Sequence, residues 1–510
     1  MEEEKLEKAM EKIEEEVDKE APLDDESKNQ TKMTVNMVLK GKTVLFHDQF
    51  KTAFISLSGD GRKILKLRSK DFKAWLSYLV WSSARTALTS TVIETAIRIL
   101  EGYSLHEGEQ IELQVRIANH DGAVWYDLGN GKAIKITENQ WEIIDQPPIL
   151  FYRHSHQQTQ VTPIGGGNLE DIFKFMPEPP DKNERILLLT WLVTAMFPNF
   201  PHPCLAVKGP QGSRKSTLFK LLRRLIDPSI TELHSPQGEQ KELVQLASHH
   251  YFLPLDNISH IKPDLSDALC RIITGEGFSK RELYSDDDDV VYSFRRVIGI
   301  NGINQVIDKP DLLERSILIN LERPEKYEKE SVLFGGFEQA RSKLFGALLT
   351  AVSNTLALAK KHGDVEGLES YRMQDFARWG STAIQALGLK IEDFVAALHS
   401  NLELQNEEVI DASPVAQVVV AFMVGRSEWS GQPTELLDRL KILGNRRGIK
   451  TDGKYFPQDA NWLWRRLEQV KTNLLSKGIM MNKDKHGDRI ITITNTRRSE
   501  DDEIFTIDDL

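Results

Sequence analysis

The sequence has little cysteine and lacks long apolar runs. Cys204 and Cys270 are the only cysteines among 510 residues, which excludes a disulfide framework, and no Cys/His spacing is typical of a zinc site. The longest apolar run, 418–424, is far shorter than the about 18 residues of a membrane span. The N-terminus, MEEEKLEKAM, is acidic and lacks the apolar core of a secretory signal. We therefore expect a cytoplasmic protein with no membrane contact.

Acidic residues outnumber basic ones overall, 76 to 65, but one region is distinctly basic. The formal net charge is −11, of which residues 1–35 contribute −7 and residues 499–510 contribute −6. Residues 436–498 carry +9. A distinctly basic unit within an acidic chain predicts contact with nucleic acid through that unit.

The composition, with 40% hydrophobic and 28% charged residues, is that of a globular chain long enough for several domains. Shifts in hydrophobic periodicity and the Pro/Gly-rich stretches divide it into regions. We expect an acidic arm (1–35), a small α+β domain (36–150), a linker with a helical entry (151–200), a nucleotide-binding core (201–325), a helical lid or collar (326–428), a basic C-terminal unit (429–496) and an acidic tail (497–510).

The strongest motif is AVKGPQGSRKSTLFKL, residues 206–221, in which an apolar strand leads through a turn into an amphipathic helix. This order is typical of a phosphate-binding loop for ATP: backbone N–H groups surround the phosphates, Lys215 adds charge and Ser216 reaches Mg²⁺. Arg214 departs from the pattern, which has glycine at that position. The predicted nucleotide contacts are Gly209, Pro210, Gln211, Gly212, Ser213, Arg214, Lys215, Ser216 and Thr217.

Two later apolar strands end in polar residues. The run HHYFLPLDNI ends in Asp256, which we expect to hold Mg²⁺ together with Ser216. Asn257 stands where a second carboxylate is usual, and an amide cannot accept the proton of water, so the general base is left open. The run RRVIGINGI reaches Asn301, which we expect to sense nucleotide and to position the attacking water.

Arg315, in DKPDLLERSILINLE, lies between a short helix and a strand. It is predicted either to enter a neighbouring subunit's nucleotide site as an arginine finger or to form a local salt bridge with Glu314 or Asp311. Arg271 is a second, weaker candidate for the finger.

Basic residues in two places are candidates for DNA binding. Lys280 and Arg281 lie in a predicted hairpin over 277–294. We expect them to contact either DNA phosphates or another subunit. The C-terminal unit has the order helix, helix, hairpin, which together with its charge predicts a winged helix. Its candidate contacts, for which a solvated face is the alternative, are Arg465, Arg466, Lys471, Lys483, Lys485, His486 and Arg489.

The first domain would hold a primase or polymerase site if the chain had one, since such sites need carboxylates that converge on metal ions. His120, Asp121 and Asp127 are the nearest candidates, but HDG is better explained as a turn. Assembly or DNA contact is the favoured role for this domain.

The central segment resembles the superfamily 3 helicases, a branch of the AAA+ ATPases found in viruses, plasmids and integrated genomic islands. The resemblance is carried by GPQGSRKST, FLPLDN, TGEGFSKRELYSDDDDVVYSF, VIGINGI and DLLERSI, in that order between residues 209 and 317. It implies an α/β fold class with an AAA+ (P-loop) motor domain. From the regions described above, we expect this motor domain to be preceded by a small α+β domain and followed by a helical region and a winged-helix domain. It also implies that Lys215, Ser216, Asp256 and Asn301 act at one nucleotide and that Arg315 acts in trans.

We therefore expect an ATP-dependent DNA helicase or translocase of a replication system, working as a ring, most simply a hexamer. The alternatives are an origin-binding or DNA-remodelling ATPase, an ATP-gated regulator, and a primase fused to a motor. The tail EDDEIFTIDDL carries Ile504, Phe505, Ile507 and Leu510 among carboxylates. It is interpreted as a solvated segment, a docking peptide for a replication partner, or an electrostatic mimic of DNA.

Overall fold

The computed structural model describes residues 24–57, 62–177, 179, 181–235, 238–281, 289–292, 294–303, 307, 309–360, 365–369, 371–453, 456–484 and 490–497. For residues 278–281 and 289–292 it describes the backbone alone.

The first unit is a four-stranded sheet covered by three helices. Its strand order is β3–β2–β1–β4, with β4 parallel to β1 and the other pairs antiparallel. The side chain just before each helix accepts a hydrogen bond from a backbone N–H of the first turn, and these capping residues are Asp24, Ser69 and Thr89. The elements are α1 (Asp25–Lys40), β1 (Thr43–His47), β2 (Ala53–Leu57), β3 (Lys63–Lys66), α2 (Lys70–Ala84), α3 (Ser90–His106) and β4 (Glu109–Gln110).

A separate antiparallel meander follows, formed by β5 (Ile117–His120), β6 (Ala123–Asp127), β7 (Ala133–Ile136) and β8 (Trp141–Ile144). Tyr126 and Ile134 in this meander belong to the same core as the central sheet, whereas the first unit has a core of its own. The sequence predicts one domain over 36–150, and the strands of its two sheets join different cores. Apolar alternation along a strand does not reveal which core that strand joins.

The three residues considered for a primase site do not converge. Asp121 and Gly122 have φ of 48° and 72°, as in a tight hairpin turn between β5 and β6. His120 pairs with Ala123 beside that turn, whereas Asp127 ends β6 at the far end of the hairpin. Asp127 is buried and binds Arg153 Nε and Nη2, both at 2.7 Å. The turn interpretation of HDG therefore holds.

A 3₁₀ helix (Leu169–Lys174) leads to the central sheet, whose four strands are all parallel in the order β10–β13–β9–β14. Every residue of β13 is buried, as expected for a strand covered on both faces. The elements are α4 (Lys182–Thr194), β9 (Cys204–Lys208), α5 (Lys215–Ile226), α6 (Gln240–His249), β10 (Phe252–Leu255), α7 (Pro263–Thr274), the antiparallel pair β11 (Phe278–Arg281) and β12 (Asp289–Tyr292), then β13 (Val297–Gly302), α8 (Pro310–Leu313) and β14 (Ser316–Asn320).

Four helices come next: α9 (Glu330–Ala359), α10 (Gln374–Ala386), α11 (Ile391–Ala412) and α12 (Pro414–Met423). On α11, Asn401 Nδ2 donates to Leu318 O at 2.8 Å and Gln405 Nε2 donates to Ser316 O at 2.7 Å. These two amides satisfy backbone groups along the outer side of β14.

Among the described residues, only α9 is long and apolar enough to cross a membrane by length and composition. More than half of its most apolar stretch is buried, and Phe337, Leu344, Phe345 and Leu348 belong to the central core. The helix is therefore a core helix of the folded chain.

The C-terminal unit packs three helices on a three-stranded antiparallel sheet of order β15–β17–β16. Its elements are β15 (Glu428–Gly431), α13 (Pro433–Arg446), α14 (Ala460–Gln469), α15 (Lys471–Ser476), β16 (Ile479–Lys483) and β17 (Ile491–Asn495). The second helix of the predicted order helix, helix, hairpin is interrupted at Val470, where ψ is 9°. The strand β15 had no equivalent in the sequence prediction.

Candidate functional site

The phosphate-binding loop joins the end of β9 to the start of α5. At Gly209 a Cβ atom would lie 2.2 Å from Leu321 O, so only glycine fits beneath the chain that leaves β14. Arg214, at the N-cap of α5, has φ of 61°, the left-handed conformation that glycine adopts without strain. The loop thus keeps a glycine-like backbone where the sequence has arginine.

Lys215 is folded back into this loop. Its Nζ donates to Gly209 O at 2.6 Å and to Pro210 O at 2.9 Å, and the residue is only 9% exposed. Burial lowers the pKa of Lys215, and the attraction of Asp256 opposes that shift. The ammonium group is therefore held inside the loop, at the place where its charge is useful to a bound anion.

Asp256 connects the loop to the neighbouring strands. Its Oδ1 accepts hydrogen bonds from Ser216 Oγ at 2.7 Å and from Asn301 Nδ2 at 2.6 Å. The arrangement follows from strand order, since β13, which carries Asn301, lies between β9 and β10. Three residues predicted from separate motifs thus meet at one carboxylate oxygen.

A second hydrogen bond orients the Asn301 side chain. Asn301 Oδ1 accepts from the backbone N–H of Asn257 at 2.9 Å, and Asn301 is only 1% exposed. Asn257 itself has φ of 56° and an exposed side chain. Asn257 therefore contributes to the described network through its backbone. Thr217, the last of the predicted nucleotide contacts, lies in the first turn of α5.

The donor set fits Mg²⁺. A serine hydroxyl and a carboxylate lie within hydrogen-bond distance of each other beside the phosphate loop, and both are the oxygen ligands that this hard cation prefers. Ser216 and Asp256 are the residues that would hold it.

Two side chains that the sequence analysis missed bind the loop from the segment that follows β14. Arg323 Nε donates to Gln211 O at 2.6 Å, and Tyr327 Oη donates to Gly212 O at 3.0 Å. The guanidinium carbon of Arg214 lies 5.6 Å from the centroid of the Tyr327 ring. No motif marks these residues, because only the return of the chain across the loop brings them close.

Arg315 lies at the opposite end of the sheet from the loop. Ser316, the next residue, pairs with Cys204 at the start of β9, whereas the loop follows the other end of β9. Within the chain, Arg315 Nη1 forms an ion pair of 2.5 Å with Asp311 Oδ1, which also binds Arg372. The local salt bridge considered from the sequence is therefore present. Arg271, the weaker candidate, is half-buried on α7.

The basic residues of the C-terminal unit differ in exposure. Arg465 and Lys471 are exposed, whereas Arg466 and Lys483 are half-buried, with their charged groups 6.0 Å from the Trp462 ring and 5.2 Å from the Trp464 ring. Lys485, His486 and Arg489 lie outside the described residues. The side chains of Lys280 and Arg281, in β11, lie outside them as well.

The far end of the phosphate-binding helix is anchored by other parts of the chain. Carbonyl oxygens of its last turn accept hydrogen bonds from Arg341 Nη2 at 2.7 Å, Gln160 Nε2 at 2.9 Å and Tyr126 Oη at 3.0 Å. These donors come from α9, the linker and β6. Donors at a helix C-terminus satisfy carbonyls that have no partner within the helix.

Asp227, just after α5, is completely buried between two arginines. Arg116 Nε donates to its Oδ1 at 2.9 Å and Arg223 Nη1 to its Oδ2 at 2.8 Å. Burial by itself raises the pKa of Asp227, but Arg223 and Arg116 lower it further than burial raises it. The carboxylate therefore stays charged and links the meander, through Arg116, to the phosphate-binding helix.

Five histidine rings form a cluster next to Arg223: His154, His156, His234, His249 and His250. The rings of His156 and His250 are 4.0 Å apart, and those of His234 and His250 are 4.6 Å apart. Burial, and then Arg223 and a neighbouring imidazole, lowers the pKa of His234 to about 4. Burial and the neighbouring histidines lower the pKa of His154 to about 3. The cluster is therefore neutral near pH 7.

Together these elements define a mixed α/β protein with a parallel sheet and a strand–loop–helix unit at its centre. Residues 178–403 match a model described as the actinomycete integrative conjugative element replication protein, and residues 415–503 match one described as the AICE RepA C-terminal domain. The two matches follow one another along the chain, so the chain is similar to a conjugative-element replication protein over its central region and to the C-terminal domain of such a protein over its last region. None of the curated proteins compared with the sequence matches it.

Several solved structures are similar to the chain at low identity. The apo C-terminal region of NrS-1 has 11% identity and a TM-score of 0.41, over 93% of this chain and 100% of that one. The active helicase Cch of SCCmec type IV has 13% identity and a TM-score of 0.45, over 89% and 92%. The JCV helicase, bound to a small molecule, has 12% identity and a TM-score of 0.21, over 44% and 71%.

Proposed function

We propose that the protein is an ATP-dependent DNA helicase or translocase of superfamily 3 type that acts in the replication of a conjugative element. The observation that carries this proposal is the meeting of Ser216 and Asn301 at Asp256 Oδ1, beside the loop that encloses Lys215. A hydroxyl, a carboxylate, an amide and an ammonium group in one place suit the binding and cleavage of a triphosphate.

In the proposed mechanism, the loop backbone and Lys215 would hold the phosphates, and Ser216 and Asp256 would hold Mg²⁺. When bound, this cation would neutralise charge on the phosphate oxygens. Asn301 is positioned by two hydrogen bonds, from its amide to Asp256 and from the backbone of Asn257 to its carbonyl oxygen. Fixed in this way, its amide can orient the attacking water. Asn257 takes part through its backbone N–H, and its side-chain amide cannot accept a proton from water.

We assign the trans arginine to Arg315, in a ring that is most simply a hexamer. The position of Arg315 supports this assignment, because it precedes β14 at the end of the sheet remote from its own loop. Its guanidinium can therefore serve only the nucleotide of another copy. On this proposal Asp311 orients the arginine in the single chain, and part of that ion pair is exchanged for phosphate in the ring.

The remaining regions receive proposed roles in DNA handling. The arrangement of α13, α14 and α15 with the sheet β15–β17–β16 is compatible with a winged helix, and Arg465, Arg466, Lys471, Lys483 and Lys485 are its proposed DNA contacts. Lys280 and Arg281, in the hairpin β11–β12, are proposed to contact single-stranded DNA in the pore. The helical region 326–428 is the proposed collar, and the acidic tail a docking segment for a replication partner.

A strand-displacement assay on forked DNA tests the proposal. We expect ATP-dependent displacement by the full chain and none by Lys215→Ala, with Lys182→Ala as a control for loss of an exposed lysine. Electron microscopy with a non-hydrolysable ATP analogue should show rings that enclose one strand. A monodisperse monomer that binds ATP but displaces no strand would contradict the helicase assignment.

The second candidate is an origin-binding or DNA-remodelling ATPase with little processive unwinding. The observation in its favour is that Arg315 already has a carboxylate partner within its own chain. This candidate predicts site-specific duplex binding by residues 429–496 together with little or no strand displacement on a forked substrate. Displacement of strands longer than the binding site would decide against it.

A further inference from the structure

The segment that follows β14 forms a second wall of the nucleotide site. Leu321 N donates to Lys208 O at 2.9 Å, which continues the sheet contact past the last residue of the strand. The chain then crosses the loop, where Arg323 binds Gln211 O and Tyr327 binds Gly212 O. At Gly212 a Cβ atom would lie 2.6 Å from Tyr327 Oη, so glycine is what allows the tyrosine to approach.

Arg214 is the departure from the phosphate-loop pattern, and its side chain is placed against this wall. A left-handed backbone is unfavourable for a residue with a side chain, so the arginine needs a compensating contact that glycine would not. Its guanidinium carbon lies over the ring of Tyr327, 5.6 Å from the centroid, within the range of a cation–π contact. The contact with Tyr327 thus accounts for an arginine at position 214, where the phosphate-loop pattern has glycine.

Tyr327 is held in place yet remains exposed. Its hydroxyl is bound to the loop and the guanidinium of Arg214 lies over the ring, but the residue is 61% exposed. An ordered aromatic ring with an open surface next to a polyphosphate site is suited to stacking with a nucleobase, because every base has a π-face.

We propose that Tyr327 stacks on the base of the bound nucleoside triphosphate, with Arg214 supporting the ring from behind and Arg323 fixing the segment to the loop. The inference rests on the proposed function, because it takes the loop to be a nucleotide site. Stacking favours the larger purine ring system over a pyrimidine. The contact reads no base edge, so ATP and GTP are discriminated only weakly by this residue.

The test is a comparison of ligands with and without a base, using the full chain. Binding of a non-hydrolysable ATP analogue, its UTP counterpart and inorganic tripolyphosphate is measured with Mg²⁺ for wild type, Tyr327→Phe, Tyr327→Leu and Arg214→Gly. Tyr78→Leu is the matched control, since Tyr78 is 70% exposed on α2.

We expect Tyr327→Leu to weaken binding of the ATP analogue about tenfold, as for loss of one base–aromatic stack, with tripolyphosphate binding unchanged. The preference for ATP over UTP should disappear in Tyr327→Leu and persist in Tyr327→Phe and Tyr78→Leu. Arg214→Gly should fall between wild type and Tyr327→Leu. The ratio of the dissociation constants of two ligands, measured on one protein preparation, does not depend on the fraction of the protein that is folded.

Equal weakening of the ATP analogue and tripolyphosphate by Tyr327→Leu would overturn the inference, because it would mean that the ring only shapes the loop. An unchanged ATP to UTP ratio in that variant would overturn it too. Failure of the proposed function looks different: wild type would then bind neither ligand, or Lys215→Ala would bind both as wild type does.

Discussion

The backbone N–H of Cys204 donates a 2.8 Å hydrogen bond to the carbonyl oxygen of Arg315. Cys204 begins β9, and the phosphate loop follows the other end of that strand. This bond therefore holds Arg315 a full strand length away from the proposed nucleotide site of its own chain. A role for Arg315 in ATP hydrolysis therefore requires a second copy, and that requirement can be tested by mixing variants.

Lys215→Ala and Arg315→Ala should each abolish ATP turnover, yet a mixture of the two should regain part of it. Random mixing places some Arg315→Ala subunits, which keep Lys215, next to Lys215→Ala subunits, which keep Arg315. The interface between two such subunits contains both residues. Loss of an arginine finger costs on the order of a thousandfold in rate, so the recovery is measurable by phosphate release. Unmixed Arg315→Ala should still bind nucleotide.

A purely local role for Arg315 predicts no recovery on mixing. Arg372→Ala is the matched control, since Arg372 also binds Asp311 but is not assigned to the nucleotide. We expect that variant to keep most of its turnover.

Asp256→Asn should bind nucleotide but lose its response to Mg²⁺. The substitution keeps the shape of the side chain and removes the charge beside Ser216 and Asn301. We expect turnover to fall at least about a hundredfold, as expected for a lost metal-binding charge at a phosphoryl-transfer site. A titration of ATPase activity against Mg²⁺ checks this, and a titration curve like that of wild type would contradict the assignment.

Asp227→Asn should be strongly destabilising without touching the nucleotide site. The variant leaves Arg116 and Arg223, both almost fully buried, without the charge that compensates them. Removing one partner of a buried ion pair costs about 3 to 5 kcal/mol. Urea unfolding measures the change in free energy. Glu94→Gln, which breaks the exposed pair of Glu94 with Lys73, should cost less than about 1 kcal/mol.

The histidine cluster predicts a loss of stability in mild acid. The pKa of His234 is about 4 in the folded chain, below the ordinary value of 6.5. As the pH falls below 6.5 the unfolded chain binds a proton that the folded chain does not, so stability is complete above that pH and declines towards pH 4. Each such histidine lowers the free energy of unfolding by at most about 1.4 kcal/mol for each unit of decrease in pH.

His234→Phe should flatten this dependence, because phenylalanine preserves the ring contact with His250 and cannot titrate. Free energies of unfolding at pH 7.5 and 5.5 give the comparison. A slope equal to that of wild type would exclude His234 as a contributor.

The elements with strong local signals were predictable from the sequence. The strand–loop–helix around Lys215 is found as expected because its pattern is local. The meeting of Ser216, Asp256 and Asn301 was also expected, since Asp256 and Asn301 lie at the ends of apolar strands and Ser216 lies just after the loop that follows a third. Their assigned roles stay predictions.

Other features depend on contacts that no local pattern encodes. Tyr327 is a surface tyrosine by composition, and only the path of the chain over Gly209 brings it to the loop. The division of 36–150 into two units depends on which core each strand joins. The break at Val470 and the short strand β15 involve too few residues to leave a periodic signal.

The amides of Asn401 and Gln405 have a consequence for assembly. These amides bind backbone groups along the free edge of β14, so a strand of another chain cannot pair with that edge. Copies of the chain cannot join there into one continuous sheet, so an assembly that uses this face must be held by side-chain contacts. Contacts of that kind can loosen and re-form at every nucleotide exchange, which a shared backbone ladder would resist.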